Sequence, residues 1–297
     1  MGLLMFRNKV KQQVKNLLSS SKLGEFDLVI EPNKSAGDFI LELLKYRELF
    51  FFMAWRDILV RYKQTVIGVA WSVIRPLLSM VIFTVIFGRV AKLPSEGTAP
   101  YPIMVFSALL PWQYFANSMQ QSSESLQRAS QMISKIYFPR VILPTSAVLV
   151  CVVDFLISLA LLCVLMVVYR FVPSPYIVLM PIFFIPATMT ALGVGFFFAA
   201  VGVKYRDFRH IMPFIVQFGM YVSPVGFSSS VIPERWRLLY SLNPMVGVID
   251  GFRWCIQGTS VSLYPPAFAI SVVMSFTVFM LGLRYFRSTE KLFADFI

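Results

Sequence analysis

Two charged residues stand where charge is expensive. Asp154 lies near the middle of the apolar stretch Val141–Tyr169, and Arg75 lies at a comparable depth within Val66–Val90 if both stretches start from the same membrane surface. A charge at the centre of a bilayer costs roughly 3 kcal/mol on insertion scales, so each needs a partner or water. Two chemistries fit these residues. One is structural, with an Arg75–Asp154 ion pair locking two helices together or each charge solvated separately. The other is a polar point on the path of a hydrophilic substrate. The rest of the chain offers no catalytic set. His210 is the only histidine, which leaves imidazole-based triads one candidate and excludes paired-histidine metal sites. No G-x-x-x-x-G-K-[ST] occurs, so ATP is not held here by a P-loop. Acidic residues are nearly absent from the apolar stretches, which disfavours proton-driven transport.

Such charges must be held by long apolar helices, and the composition supplies them. Of 297 residues, 57% are hydrophobic and 14% charged, against roughly 25% charged in soluble domains. That balance fits an all-α polytopic membrane protein, in which lipid replaces part of the core. The net charge of +12 is spread over short loops. The anionic inner leaflet is therefore the expected partner of these cations, and nucleic acid is not. Cys151, Cys163 and Cys255 are too few and scattered for a disulfide framework or zinc. The start, MGLLMFRNKVKQQVKNLLSSSK, lacks the pattern of a signal peptide, and Gly2 lacks the Ser or Thr of a myristoylation site.

Residues 1–45 read as a cytosolic segment and 46–62 as an interfacial helix, its apolar run Leu49–Trp55 being too short to span. A transmembrane domain over 63–284 contains six expected spans: 66–90, 102–121, 141–169, 177–203, 211–227 and 266–283, followed by a cytosolic tail, 285–297. Between the last two spans, Ile232–Tyr240 and Met245–Gln257 read as short amphipathic helices split by Asn243-Pro244. They are too short to span and too apolar for water, so a re-entrant pair is expected. Basic residues number twenty on one side of this topology and six on the other, which puts both termini in the cytoplasm.

Ser122–Ile136 is the clearest amphipathic element. Leu126, Ala129, Ile133 and Ile136 form one stripe, and Glu124, Arg128, Gln131 and Lys135 another, with Ser122 or Ser123 as the expected cap. It reads as a solvated hairpin or as a docking helix for a soluble partner. The charged loop Lys204–His210 fits a positive-inside anchor. Trp71, Trp112, Tyr114 and Tyr169 fit belt residues near the two interfaces. A minority of the 29 Phe, 12 Tyr and 5 Trp could instead face a pore and stack on sugar rings.

Arg61-Tyr62-Lys63-Gln64-Thr65, with Gly68, Trp71 and Pro76-Leu77, resembles the corresponding segment of polysaccharide-exporting ABC transporter permeases. The resemblance continues through Phe87-Gly88-Arg89, Leu110-Pro111-Trp112, Lys135-Ile136-Tyr137-Phe138-Pro139-Arg140, Tyr205-Arg206-Asp207 and Leu242-Asn243-Pro244. It covers the chain from about residue 45 onward and is nearest to exporters of O-antigen, a part of lipopolysaccharide. It implies a homodimer in the bacterial inner membrane, paired with two ATPase subunits that bind ATP and Mg, while this chain carries no cofactor or metal. It also implies that Arg56, Asp57, Arg61, Glu124, Arg128, Lys135, Tyr205, Arg206 and Asp207 couple to the ATPase. Trp71, Arg75, Asp154, Trp236, Tyr240, Asn243, Arg253 and Trp254 are then the channel or gate residues for a lipid-linked polysaccharide. The rival expectations are a permease for drugs or small lipids, and a membrane-embedded glycan-modifying enzyme using His210.

Overall fold

The structure, a computed structural model, describes residues 43–63, 66–135, 138–205, 207–261, 263–290 and 293, and only the backbone of 63, 66–69 and 209. Residues 1–34 and 35–297 are separate units, and all described residues belong to the second. The segment 1–42, Gln64-Thr65, Ile136-Tyr137, Arg206, Ser262, 291–292 and 294–297 lie outside the described residues.

The described elements are all helical, with no strand among them. Ten α-helices are numbered here in chain order: α1 (Arg47–Lys63), α2 (Val66–Phe83), α3 (Tyr101–Arg128), α4 (Ser130–Ile133), α5 (Ile142–Val168), α6 (Met180–Lys204), α7 (Phe208–Val222), α8 (Glu234–Tyr240), α9 (Pro244–Gln257) and α10 (Pro265–Thr289). A π-helical stretch, Thr84–Val90, continues α2, and a 3-10 turn, Pro175–Leu179, leads into α6. Four of these helical stretches are long and apolar enough to cross a membrane: Ala70–Val90, Ile142–Val168, Pro175–Lys204 and Pro265–Thr289. The chain is a multi-pass membrane protein.

Local chemistry sets the helix ends. Pro100-Tyr101-Pro102 and Asn243-Pro244 place proline in the first turn, where its missing N–H costs nothing. Asn243 caps α9 by accepting from the Met245 N–H at 3.0 Å. The fifth expected span ends early, at Val222, because Pro224 disfavours helical backbone at Ser223. The chain then runs on as a non-helical segment whose carbonyls are taken by side chains from other elements.

α3 stands at the centre. It packs against α2, α5, α6, α7 and α9, and its residues from Ile103 to Leu126 are mostly buried. This overturns two readings. Trp112 and Tyr114 are not belt residues. Both are buried, and Tyr114 shares a hydrogen bond with Thr188 at 2.9 Å. Nor does a new helix start at Ser122, because α3 continues through Arg128 and breaks only at Ala129, before the single turn of α4. Ser122 packs against Gly195 of α6, and the hydroxyls of Ser123 and Ser125 donate to the carbonyls of Gln120 and Ser122. Serines satisfied by their own helix can sit in its interior and need not cap one.

Among the described helices, α6 and α10 share the most extensive contact. A Cβ on Gly282 would lie 1.9 Å from the Gly193 carbonyl oxygen, so only glycine permits this crossing. Small residues at a contact let backbones approach and gain dispersion where lipid supplies no hydrophobic drive.

Candidate functional site

At the end of the bundle where α1 lies, a polar joint ties three helices. α1 packs on α5, buries Met53 and Ala54, and leaves Phe51, Phe52 and Trp55 uncovered. That contact carries Arg61 to Asp154, 2.7 Å between Nη2 and Oδ2. Asp154 Oδ1 also accepts from the Tyr62 hydroxyl and, more weakly, from Ser72 of α2 at 3.4 Å. Burial first, and then the hydrogen bond to Asp154 and its charge, push the Tyr62 phenol well above its ordinary value, so it remains a donor.

The Arg75–Asp154 ion pair is therefore corrected. Asp154 is paired with Arg61, and Arg75 lies over Trp71, one turn earlier on α2, 5.5 Å from the ring centre. The reason is tertiary: α1 lies along α5, and its last turn reaches Asp154.

Two cavities flank the joint, and Arg61 lines both. One, of about 550 Å3, lies between α1, the end of α3, α4 and the start of α5. It brings Arg56, Asp57 and Arg61 together with Arg128. Arg56 pairs with Asp57 at 2.8 Å, and Arg128 pairs with Glu124 at 3.0 Å. Lys135, Tyr205 and Asp207 are described but do not line this cavity. The other cavity, of about 540 Å3, is a groove along α2, α3, α5 and α7 that holds Trp71, Arg75 and Asp154 beside Trp112, Gln113 and Asn117.

At the opposite end, Arg253 of α9 is fully buried. It donates to the carbonyls of Phe227 at 2.9 Å and Val225 at 3.1 Å, and its Nη1 lies 3.9 Å from Glu96. The segment after α7 is held further by the hydroxyls of Tyr101, donating to Gly226 O at 2.6 Å, and Tyr240, donating to Val222 O at 2.8 Å. The Asn243 amide reaches Ser223 at 2.9 Å. Trp254 stacks on Tyr176 with ring centres 4.6 Å apart, while Trp236 is half-exposed beside Arg235. The residues expected to form a channel or gate thus fall into two groups at opposite ends, and Arg253 and Tyr240 hold backbone carbonyls while Asn243 holds the Ser223 hydroxyl.

Asp250 sits one turn before Arg253, facing a small cavity lined by Ser229, Arg237 and Tyr240. Burial pushes its carboxyl up from the ordinary 3.8 to about 6, against the opposing pull of Arg253, Ser229 and Arg237, while Glu96 adds to the rise. The fold favours the protonated acid, so this group's contribution to stability is full below about pH 4 and is lost as pH rises through about 6. Asp250→Asn should flatten thermal stability across that window and raise the unfolding temperature at neutral pH, as read by thermal unfolding of the purified protein.

Tyr62, Ser72, Glu96 and Asp250 were not among the sequence-derived site residues. For Asp250 a signal existed, because an acid and a base three residues apart on a short apolar helix share one face.

Comparison with known families matches residues 48–256 to the ABC-2 type transporter family. The chain is 26% identical over 260 residues to the O-antigen export system permease protein RfbA of Myxococcus xanthus, covering 87% of this chain and 98% of that one. Two proteins of the same description from Klebsiella pneumoniae are 30% identical over 199 residues and 27% identical over 243, covering 76% and 92% of their lengths. The first alignment takes in 67% of this chain and the second 82%. With the family match spanning more than half its length and including α1, the groove and the Arg253 cluster, the chain belongs to the ABC-2 type transporter family.

Proposed function

We propose that this chain is the transmembrane subunit of an ATP-driven exporter that carries a lipid-linked, O-antigen-like polysaccharide from the cytoplasm across the inner membrane. The observation that carries this reading is similarity to O-antigen export permeases along nearly their whole length. The groove beside Asp154 supports it, because a glycan cannot cross roughly 30 Å of hydrocarbon without a polar or aromatic path. In this reading α2, α3, α5, α6, α7 and α10 are the six spans, both termini are cytoplasmic, and α8 and α9 form a re-entrant pair at the outer face. The working unit is a homodimer with two ATPase subunits that bind ATP and Mg. Arg56, Asp57, Arg61, Glu124, Arg128, Lys135, Tyr205, Arg206 and Asp207 couple to those subunits, and the cavity between α1 and α4 adjoins Arg56, Asp57, Arg61 and Arg128.

Deleting the gene tests the reading. Surface polysaccharide should vanish and return on complementation. Intact surface glycan with raised drug sensitivity would favour a small-molecule exporter instead. For the coupling surface, Arg128→Glu and Asp207→Lys should each lower ATPase co-purification roughly tenfold, the effect of losing about 1.4 kcal/mol of contact. Their thermal unfolding should stay that of the wild type. Undiminished assembly by both variants would remove these residues from the coupling surface.

A further inference from the structure

Among the described residues, Arg75 has an aromatic neighbour, Trp71, and no carboxylate partner. Asp154, the acid in the same groove, is engaged by Arg61, Tyr62 and Ser72. Among the described residues, the groove therefore presents one exposed guanidinium without a carboxylate, open to an anion that enters it. Three other features surround that charge. Trp71 is 44% exposed and lies beside the guanidinium. Gln113 and Asn117, one turn apart on α3, offer carboxamides. Ile82 and Met220 give an apolar side. Its size, about 540 Å3, is that of a small-ligand cleft.

A cation, an aromatic face with paired amides, and an apolar side match three parts of one kind of molecule: an anionic link, a sugar and a hydrocarbon. We propose that this groove binds the phosphate-bearing link between a glycan and its lipid, with Arg75 on the phosphate, and Trp71, Gln113 and Asn117 on the first sugar. This rests on the reading of the chain as an exporter of lipid-linked glycan. A plain phospholipid would use the cation and the apolar side but leave the aromatic face and the carboxamides without a role. Guanidinium suits the task because its fixed fork of donors matches phosphate oxygens.

The test uses the full chain in nanodiscs and three probes: a polyprenyl diphosphate carrying one hexose, the same diphosphate without sugar, and phosphatidylglycerol. Native mass spectrometry reads retention. The hexosyl diphosphate should bind best. Arg75→Gln should weaken it at least about tenfold, Arg75→Lys less, and Gln113→Ala should weaken the hexosyl probe more than the sugar-free one. Each variant is scored only with a wild-type thermal transition, and Arg75→Lys, which keeps the charge, guards against a folding artefact. Undiminished binding by Arg75→Gln would overturn the site, and so would phosphatidylglycerol that binds equally well with the same dependence on Arg75. Transport plays no part in this readout. A deletion strain that kept its surface glycan would sink the proposed function, whereas loss of probe specificity would sink only the groove.

Discussion

Asp154→Ala is expected to lower the stability of the purified protein by about 1–3 kcal/mol and to abolish export. Asp154 forms an ion pair with Arg61 and accepts from Tyr62 and Ser72, so its removal leaves a guanidinium, a phenol and a hydroxyl facing the same gap. Breaking a buried pair from one side costs roughly 3–5 kcal/mol. Arg61 remains 33% exposed, and solvent screening reduces that figure to the range given. The swap Arg61→Asp with Asp154→Arg should recover at least half of the lost stability, read as the shift in unfolding temperature. A swap of Arg75 with Asp154 should recover none. Rescue by the Arg75 swap, and not by the Arg61 swap, would show that the joint is assigned to the wrong residue. Export should suffer more than stability, because the joint links α1, which in the proposed reading touches the ATPase, to α2 and α5 at the groove.

Arg253→Met should cost about 3–5 kcal/mol, the largest stability loss of any single change proposed here. The methionine keeps the apolar bulk but removes donors from the carbonyls of Val225 and Phe227 and leaves Glu96, itself mostly buried, without its cation. The ordering of two variants separates these contributions. The contact to Glu96 is long, 3.9 Å, while those to the carbonyls are 2.9 and 3.1 Å. Glu96→Gln should therefore be clearly milder than Arg253→Met in thermal unfolding. Equal losses would mean that the ion pair, and not the carbonyl bonds, holds the segment after α7.

What could be read from the sequence followed from hydropathy and turn chemistry. The apolar runs located α5 and α6 within a few residues and α2 together with its π-helical continuation, whereas α10 runs six residues beyond the expected end at Leu283. Asn243-Pro244 marked the start of α9 because its capping is local. What could not be read depended on which helix lies beside which. Arg75 and Asp154 look like partners by depth alone, yet depth says nothing of neighbours, and α1 brought Arg61 to the acid instead. Trp112 and Tyr114 have the composition of belt residues, but α3 packs against five other helices and both side chains are buried there. Ser122 and Ser123 resemble a cap in one dimension. Only the packing of Ser122 on Gly195 shows that the helix passes straight through. Tyr62 stood inside a recognisable segment, but its role as a donor to Asp154 required the fold.

The central claim is ATP-driven outward movement of a lipid-linked polysaccharide. Co-reconstituting the chain with its ATPase in vesicles and following a labelled lipid-linked glycan measures this directly. Addition of ATP should move the glycan to the far side, where an impermeant glycosidase no longer reaches it. Vesicles lacking this chain, or carrying Asp154→Ala, should show no movement. ATP hydrolysis with the glycan left where it started, together with transfer of a small lipid or drug in the same vesicles, would contradict the account.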